Sequence, residues 1–300
     1  MNPLLLICLL LGIAARRYLT FPEQLVPSIN WWLITIALPC LIITLIPHTV
    51  ITKESLVPIA GMWCVFIGAL GVALILGKIF SWSKEVIGVV ALVGGIGNTS
   101  FMGYPIVESY YGASGLQIAV IADQVGSFII LSTAGVITMT LCAGQRPTAK
   151  MIIKRVLSFP PFIALCVSIV IKPFNGLPEF LETPLAQIGA TLSPLALFCV
   201  GLQISLRPPR GVIVPLFSGV IWKLAFAPLI VWGVVSLTGS TGLTQQVTII
   251  EAAMAPMIAA AIMAQRAGLQ PALANAIQGY AILLSFLTLP IWHILLVKSF

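Results

Sequence analysis

The sequence predicts an all-α integral membrane protein whose ten transmembrane helices form two inverted five-helix repeats. Hydrophobic residues make up 59% of the 300-residue chain and charged residues only 8%, whereas roughly a quarter of the residues in an ordinary soluble domain are charged. The mean hydropathy is +1.11. So few charges cannot cover the surface of a soluble protein of this size. The apolar runs also lack the alternation of a transmembrane β-barrel.

Ten apolar runs, bounded by charges and turn residues, predict the spans, because about 20 apolar residues cross the hydrocarbon core. These runs cover residues 3–15, 27–46, 56–77, 86–111, 116–143, 157–173, 184–204, 212–237, 246–265 and 272–296. They divide the chain into a first repeat (1–143), a short basic cytoplasmic loop (144–156) and a second repeat (157–300).

The basic residues are unequally divided between the two sides of the predicted bundle. The loops that follow odd-numbered spans hold eleven of the fifteen: Arg16, Arg17, Lys78, Lys84, Arg146, Lys150, Lys154, Arg155, Arg207, Arg210 and Arg266. The positive-inside rule therefore predicts that these loops are cytoplasmic and that both termini are extracytoplasmic. The location expected is the plasma membrane, which in a bacterium is the inner membrane. Because the basic residues are scattered singly or in pairs, no nucleic-acid partner is expected.

The two halves of the chain match each other at an offset of 156 residues. Pro22-Glu23 aligns with Pro178-Glu179 and Gly112 with Gly268, and the short first span aligns with the short sixth span. Each repeat has five spans, and an odd number inverts the second copy relative to the first. Inverted repeats are typical of alternating access around a central site.

Helix breakers interrupt the fourth and ninth spans near their centres. Residues 94–105 contain four glycines and Pro105, and the ninth span contains Met254-Ala255-Pro256. Freed backbone groups in lipid need partners, so the two breaks are expected to cross each other. Half-helix N-termini at such a crossing suit an anion, and Asn98, Thr99 and Ser100 add an amide and two hydroxyls. An alternative is that Asn98 only caps a half-helix.

Three charged side chains fall inside predicted spans, where each is a functional candidate. We expect Asp123, beside Gln124, or Glu251 to take up a proton or to help hold a cation during transport. Lys223 would pair with one of these carboxylates or with the C-terminal end of a half-helix. The alternative is a permanent structural ion pair. The sequence has no cluster of residues at metal-ligand spacing, and no other cofactor is predicted.

The segments GNTSFMGYPIVESYYG (97–112), EAAMAPMIAAAIMAQRAG (251–268) and KLAFAPL (223–229) resemble the auxin efflux carrier family. That family includes plant auxin carriers and bacterial permeases for malonate, malate and other organic acids. The resemblance implies a secondary-active transporter of organic anions that works by alternating access. It also implies that Asn98 contacts the substrate carboxylate near two crossing positions, one at Pro105 or its neighbourhood and the other at Pro256. Two alanines, Ala259 and Ala260, stand where bacterial relatives often carry an asparagine.

Other classes of function remain as alternatives. A sodium-coupled symporter like the bile-acid transporters would have a similar architecture, but the ninth span offers few oxygen ligands besides Glu251. A channel or a non-transporting sensor is also compatible with a site between broken helices. An intramembrane protease is disfavoured because it needs two intramembrane aspartates or a well-placed histidine. The expected partners are a small organic acid and the lipid bilayer, and a homodimer is left open.

The predicted topology can be tested at the C-terminus. A reporter that is active only in the cytoplasm should be inactive when fused after Phe300, and active when fused after residue 146 in the basic loop. Activity of the C-terminal fusion would contradict the predicted orientation.

Overall fold

The computed structural model describes residues 3–49, 52–174, 176–203 and 211–299, and in these ranges the regular secondary structure is helical apart from one isolated β-bridge. The predicted all-α class is therefore confirmed. Within the same ranges, six helical segments are long and apolar enough to cross a membrane: Leu25–His48, Lys53–Ile79, Thr99–Cys142, Glu179–Gln203, Ile213–Leu237 and Pro271–Lys298. The fold is that of an integral membrane protein.

The first half of the chain contains α1 (Pro3–Tyr18), α2 (Leu25–Trp32), α3 (Leu38–Leu45), α4 (Leu56–Ile79), α5 (Lys84–Gly95), α6 (Tyr104–Ile121), α7 (Phe128–Ile130), α8 (Val136–Cys142) and α9 (Ala149–Leu157). Helix α6 bends sharply at Gly112, whose φ of 65° and ψ of −163° are not helical. Glycine adopts this conformation readily because it has no Cβ. The 44-residue segment Thr99–Cys142 is therefore two rods that meet at this residue.

The second half contains α10 (Pro160–Ile171), α11 (Glu179–Ala190), α12 (Leu192–Gln203), α13 (Ile213–Ile221), α14 (Ala227–Leu237), α15 (Gly242–Ala252), α16 (Ile258–Arg266) and α17 (Pro271–Ser299). Short π-helical segments continue several rods without a break: Leu33–Ala37, Thr99–Gly103, Ala122–Ser127, Leu131–Gly135 and Trp222–Phe226. Single 3₁₀ turns occupy Ile46–His48, Lys53–Ser55 and Lys172–Phe174.

The predicted basic loop 144–156 is not wholly irregular, because α9 occupies most of it. Its sequence AKMIIKRVL places Lys150 and Lys154 on one side and Ile152 and Val156 on another, which is the spacing of an amphipathic helix. The positive-inside rule uses only the number of basic residues in a loop, so it does not reveal the helical spacing of this segment. Two of those residues, Arg207 and Arg210, lie outside the described ranges.

The helices pack as two groups. One group consists of α1–α3 and α10–α12, in which α1 lies along α12 while α10 and α11 pack on α3. The other consists of α4–α8 and α13–α17, in which α4 packs on α5, α14 and α15, and α13 packs on α17. The broken rods belong to the second group, and the first group faces them through α12.

Glycines bring α1 and α12 into backbone contact. A Cβ on Gly12 would lie 2.2 Å from the carbonyl oxygen of Phe198, and one on Gly201 would lie 2.4 Å from that of Leu9. Small residues allow this close approach, which supports van der Waals packing between membrane helices. Neither position has room for a methyl group unless the helices separate.

Gly201→Ala is therefore expected to destabilise the protein by about 1–3 kcal/mol, the usual effect of overpacking. The matched control is Gly71→Ala in α4, because a Cβ there would meet nothing within 4 Å. Thermal unfolding in detergent, followed by tryptophan fluorescence, should show a lower midpoint for Gly201→Ala only. Equal midpoints for the two variants would contradict the assigned contact.

Candidate functional site

Two rods of the second helix group are interrupted near their centres. Helix α5 ends at Gly95 and helix α15 ends at Ala252, which leaves residues 96–98 and 253–257 outside any helix. The two unwound segments run antiparallel past each other and form the isolated β-bridge. The predicted breaks in both spans are thus present, and they meet.

Two backbone hydrogen bonds join the unwound segments. The Asn98 N–H donates to the Ala255 carbonyl at 2.7 Å, and the Met257 N–H donates to the Ile96 carbonyl at 2.8 Å. Each segment therefore satisfies polar groups that the other has freed. Because an unsatisfied backbone group in the hydrocarbon region costs several kcal/mol, this exchange is what makes two broken helices tolerable there.

Gly97 and Pro256 face each other between those two bonds. They form the non-hydrogen-bonded pair of an antiparallel bridge, in which neither residue donates to the other. Proline lacks an N–H and loses nothing at this position. Glycine leaves room for a neighbour, since a Cβ on Gly97 would lie 2.9 Å from Lys223 Nζ and 3.4 Å from the Glu251 carbonyl oxygen.

Each rod restarts immediately beyond the crossing. The π-helical turn Thr99–Gly103 begins after Asn98 and continues into α6, and α16 begins after Met257. The first N–H groups of a helix have no partner within that helix, and the N-terminus carries a partial positive charge. Two such termini therefore lie beside one bridge, on opposite strands of it.

A cavity of about 220 Å³ lies beside the crossing, between the two helix groups. Its lining includes both half-helix N-termini, together with side chains of the first group: Asn30, Ile34, Leu38, Asn98, Ser100, Phe101, Asp123, Phe128, Leu131, Phe159, Met257, Ile258, Ala259 and Ile262. Most of these side chains are apolar, and the polar groups concentrate at the crossing.

The Asn98 side chain caps one restart and still has a free donor. Its Oδ1 accepts a hydrogen bond from the Phe101 N–H at 3.3 Å. Its Nδ2 has no hydrogen-bond partner among the described residues, although the residue is only 1% exposed. A buried donor left unpaired costs about 1–3 kcal/mol. Both predicted roles of Asn98, helix cap and ligand donor, are therefore sterically compatible.

Asp123 is buried in a network of hydroxyl and amide donors. Its carboxylate accepts hydrogen bonds from Thr99 Oγ1 at 2.5 Å, Tyr104 Oη at 2.9 Å and Gln124 Nε2 at 2.7 Å. It lies in the π-helical segment Ala122–Ser127, and π-helical turns are frequent at functional sites. This network joins the fifth predicted span to the restart of the fourth.

Lys223 lies on the other side of the crossing. Its Nζ donates to the Ala252 carbonyl at 2.8 Å, at the C-terminal end of α15, and the side chain is fully buried. A cation at a helix C-terminus is stabilised by the partial negative charge of the exposed carbonyls. Of the partners predicted for Lys223, the structure provides the end of a half-helix.

Glu251 is the third intramembrane charge, and its surroundings are unusual. The residue is fully buried, and neither carboxylate oxygen has a hydrogen-bond partner in the described part of the chain. Gly103 lies directly against it, since a Cβ there would be 2.5 Å from Oε2. A buried carboxylate without donors needs a proton or a cation to be stable.

The predicted substrate residues are only partly brought together. Asn98, Ser100 and Asp123 line the cavity. Thr99 does not line it, but its hydroxyl donates a hydrogen bond to Asp123. Three others, Pro105, Met254 and Pro256, do not line it. Pro105 lies in the first turn of α6, beyond the crossing, where proline is well tolerated, and its role at the substrate site stays a prediction. The unwound segment of this rod is residues 96–98.

Several cavity residues were not identified from the sequence. Phe128 and Phe159 stack with ring centroids 3.9 Å apart, and Asn30 comes from the first helix group. Their convergence depends on tertiary packing, so no local pattern indicates it. Met257 and Ile258 could have been predicted from the sequence, because they directly follow the break at Pro256.

The fold and the crossing define a helical membrane protein with a small, mostly apolar cavity whose polar groups lie beside two broken helices. Residues 1–293 match the model of the family described as "Membrane transport protein". Because this match covers nearly the whole chain, the protein belongs to that family, the auxin efflux carrier family of membrane transporters. The family resemblance read from residues 97–112 and 251–268 is therefore confirmed.

Two archaeal proteins of the same family are similar along most of the chain. An uncharacterized transporter of Methanocaldococcus jannaschii is 28% identical over 264 residues, covering 84% of this chain and 83% of the relative. An uncharacterized transporter of Methanothermobacter thermautotrophicus is 25% identical over 296 residues, covering 97% and 96%.

Proposed function

We propose that the protein is a secondary-active transporter of organic anions that binds a mono- or dicarboxylate at the helix crossing. The observation that carries this proposal is the unpaired Nδ2 of Asn98, a residue that lines one cavity together with the first residues of two half-helices. An unpaired amide donor and two half-helix N-termini therefore lie beside the same space. A carboxylate accepts several hydrogen bonds and carries the charge that helix N-termini stabilise.

The donors at this site carry no formal positive charge, so the empty cavity holds no unpaired cation. Lys223 is directed to the Ala252 carbonyl on the far side of the crossing. The apolar walls, which include Phe128 and Phe159, would contact the carbon skeleton of the substrate. Small-molecule sites commonly combine apolar walls with a few convergent polar groups.

We further propose ten spans in two inverted repeats, and two symmetric cation contacts support this. Arg16 Nη1 donates to the Leu202 carbonyl at 2.6 Å. Lys172 Nζ donates to the Pro47 carbonyl at 3.2 Å, and also to the Thr49 carbonyl. Arg16 and Lys172 are separated by the same 156-residue offset. Each cation binds the C-terminal end of a rod in the opposite repeat.

A second pair of contacts between the two repeats is related by the same 156-residue offset. Gly12 lies against the Phe198 carbonyl, and Ser168 Oγ donates to the Ile42 carbonyl at 3.2 Å. Adding the offset to Gly12 gives Ser168, and subtracting it from Phe198 gives Ile42. Reciprocal contacts of this kind are expected of a pseudo-twofold axis, so we expect the two halves to exchange roles during alternating access.

The position of the cavity suggests how access alternates. It lies between the two helix groups, with Asn30 and Phe159 from one and Asn98 from the other. Movement of one group against the other would expose the site to each side in turn, while the crossing itself stays intact. Loops rich in basic residues would face the cytoplasm and the termini the opposite side.

Proton coupling is the mode that we propose for uphill transport. Asp123 lines the cavity and is held by three donors, and Glu251 is buried without any. A carboxyl group that gains and loses a proton at this depth changes the charge of the site without a large movement. The donor-free oxygens of Glu251 also favour a second candidate, sodium-coupled symport, in which the ion would occupy that position.

Uptake into proteoliposomes tests the substrate class. Radiolabelled acetate, malonate and malate should show saturable uptake and countertransport by the wild-type protein. Asn98→Ala should raise KM roughly tenfold to a hundredfold, the effect of losing one hydrogen bond to a charged group. Asn275→Ala is the control, because Asn275 pairs with Gln265 near the exposed end of α16.

The same assay distinguishes the alternative functions. Loss of uptake when choline replaces sodium would favour the symport alternative. A wild-type protein that binds these acids without moving them would indicate a sensor.

The pH dependence of uptake identifies the coupling residue. Wild-type uptake should change with the imposed pH gradient, and Asp123→Asn should remove that dependence, because the amide cannot carry a proton. Glu251→Gln is the matched variant, and it should flatten the profile instead if Glu251 is the carrier. Profiles that remain like the wild type in both variants would contradict proton coupling through these residues.

A further inference from the structure

A second cavity of about 440 Å³ adjoins the crossing cavity on the side where the α16 helix ends. It is lined by Met139, Thr140, Ala143, Gln145, Ala259, Ile262, Met263, Arg266 and Ala267. Ala259 and Ile262 line both cavities. The two cavities therefore adjoin along one face of α16, and the second, called the mouth below, includes the exposed residues Gln145 and Arg266 in its lining.

Arg266 stands at this mouth as the last residue of α16, and its side chain is exposed. In the described ranges, no aspartate or glutamate forms an ion pair with it. Gln145, which follows α8, brings an exposed amide to the same lining. The mouth thus combines one uncompensated positive charge with a hydrogen-bond donor, while its remaining lining is largely apolar.

We infer that Arg266 and Gln145 form a second, weaker carboxylate-binding site at the mouth of the transport pathway. The inference rests on the proposed function, since it assigns a station on the route to Asn98. A guanidinium group presents paired N–H donors that match a carboxylate. The Gln145 amide supplies a further N–H, so this pair can hold the substrate before it passes Ala259.

The helical rise of α16 sets the distance between the Arg266 charge and the inner cavity. Arg266 is seven residues beyond Ala259, which corresponds to about 10 Å along the helix at 1.5 Å per residue. This distance is close to the Debye length of about 10 Å at 0.1 M salt. At low ionic strength the field of Arg266 therefore reaches the inner cavity, and at high ionic strength it does not. A basic mouth raises the local concentration of anions.

The test compares Arg266→Gln with the wild type in proteoliposomes, using radiolabelled acetate and malonate. At low ionic strength, Arg266→Gln should lower Vmax/KM for acetate about threefold to fivefold, as for one exposed charge pair. Malonate carries a second charge and should be affected more. The difference should shrink to less than twofold in high salt. Arg266→Lys should recover most of the loss because it keeps the charge.

Lys298→Gln is the matched control, since Lys298 is exposed, lies outside the lining of either cavity, and stands about 40 Å along α17 from the start of that helix near Arg266. It should transport like the wild type at every salt concentration. Equal Vmax/KM for Arg266→Gln and the wild type at low salt, with Asn98→Ala still impaired, would overturn the mouth site and leave the transport proposal standing. A salt-independent loss would also overturn it, because a structural role would explain that result. Failure of the wild type to take up either acid would overturn both proposals.

Discussion

The structure depends on two backbone hydrogen bonds between two interrupted membrane helices. The bonds from Asn98 to Ala255 and from Met257 to Ile96 close the only β-bridge in the described residues. Without them, each unwound segment would leave polar groups unpaired in hydrocarbon, at several kcal/mol per group. The residues of the bridge follow from this constraint. Pro256 occupies the position where no N–H is required, and Gly97 leaves the space that Lys223 fills.

The crossing also arranges the charges around it. A helix that stops exposes carbonyl groups, and the buried ammonium of Lys223 meets one of them at Ala252. A helix that restarts leaves its first N–H groups without partners in that helix, and the restarts after Asn98 and Met257 lie beside the cavity. At each interruption, the negative C-terminal end of one half-helix and the positive N-terminal end of the next therefore lie only a few residues apart. On this account the anion and the lysine use opposite ends of the broken rods, so they do not compete for one position.

Composition and helix-breaking residues were sufficient to predict the membrane class and the two breaks, because lipid imposes strong rules on both. Asn98 could be selected because an amide beside a break can cap the restarted helix or donate to a ligand, and the structure shows the cap. The exact extent of the unwound segments could not be predicted, since the π-helical turn Thr99–Gly103 absorbs part of the glycine-rich stretch. Pro105 follows that turn and lies in the first turn of α6. Contacts between distant parts of the chain, such as Phe128 with Phe159 or Thr99 with Asp123, have no local signature.

The central claim is that an organic anion occupies the crossing, and the most direct measurement is an electron cryomicroscopy map of the protein in lipid nanodiscs with saturating malonate. We expect two unwound segments joined by the hydrogen bonds from Asn98 to Ala255 and from Met257 to Ile96. We also expect ligand density within hydrogen-bond distance of Asn98 Nδ2 and the first turn of α16. Continuous helices through residues 94–105 and 251–260 would contradict it, as would malonate bound elsewhere while the crossing cavity stays empty.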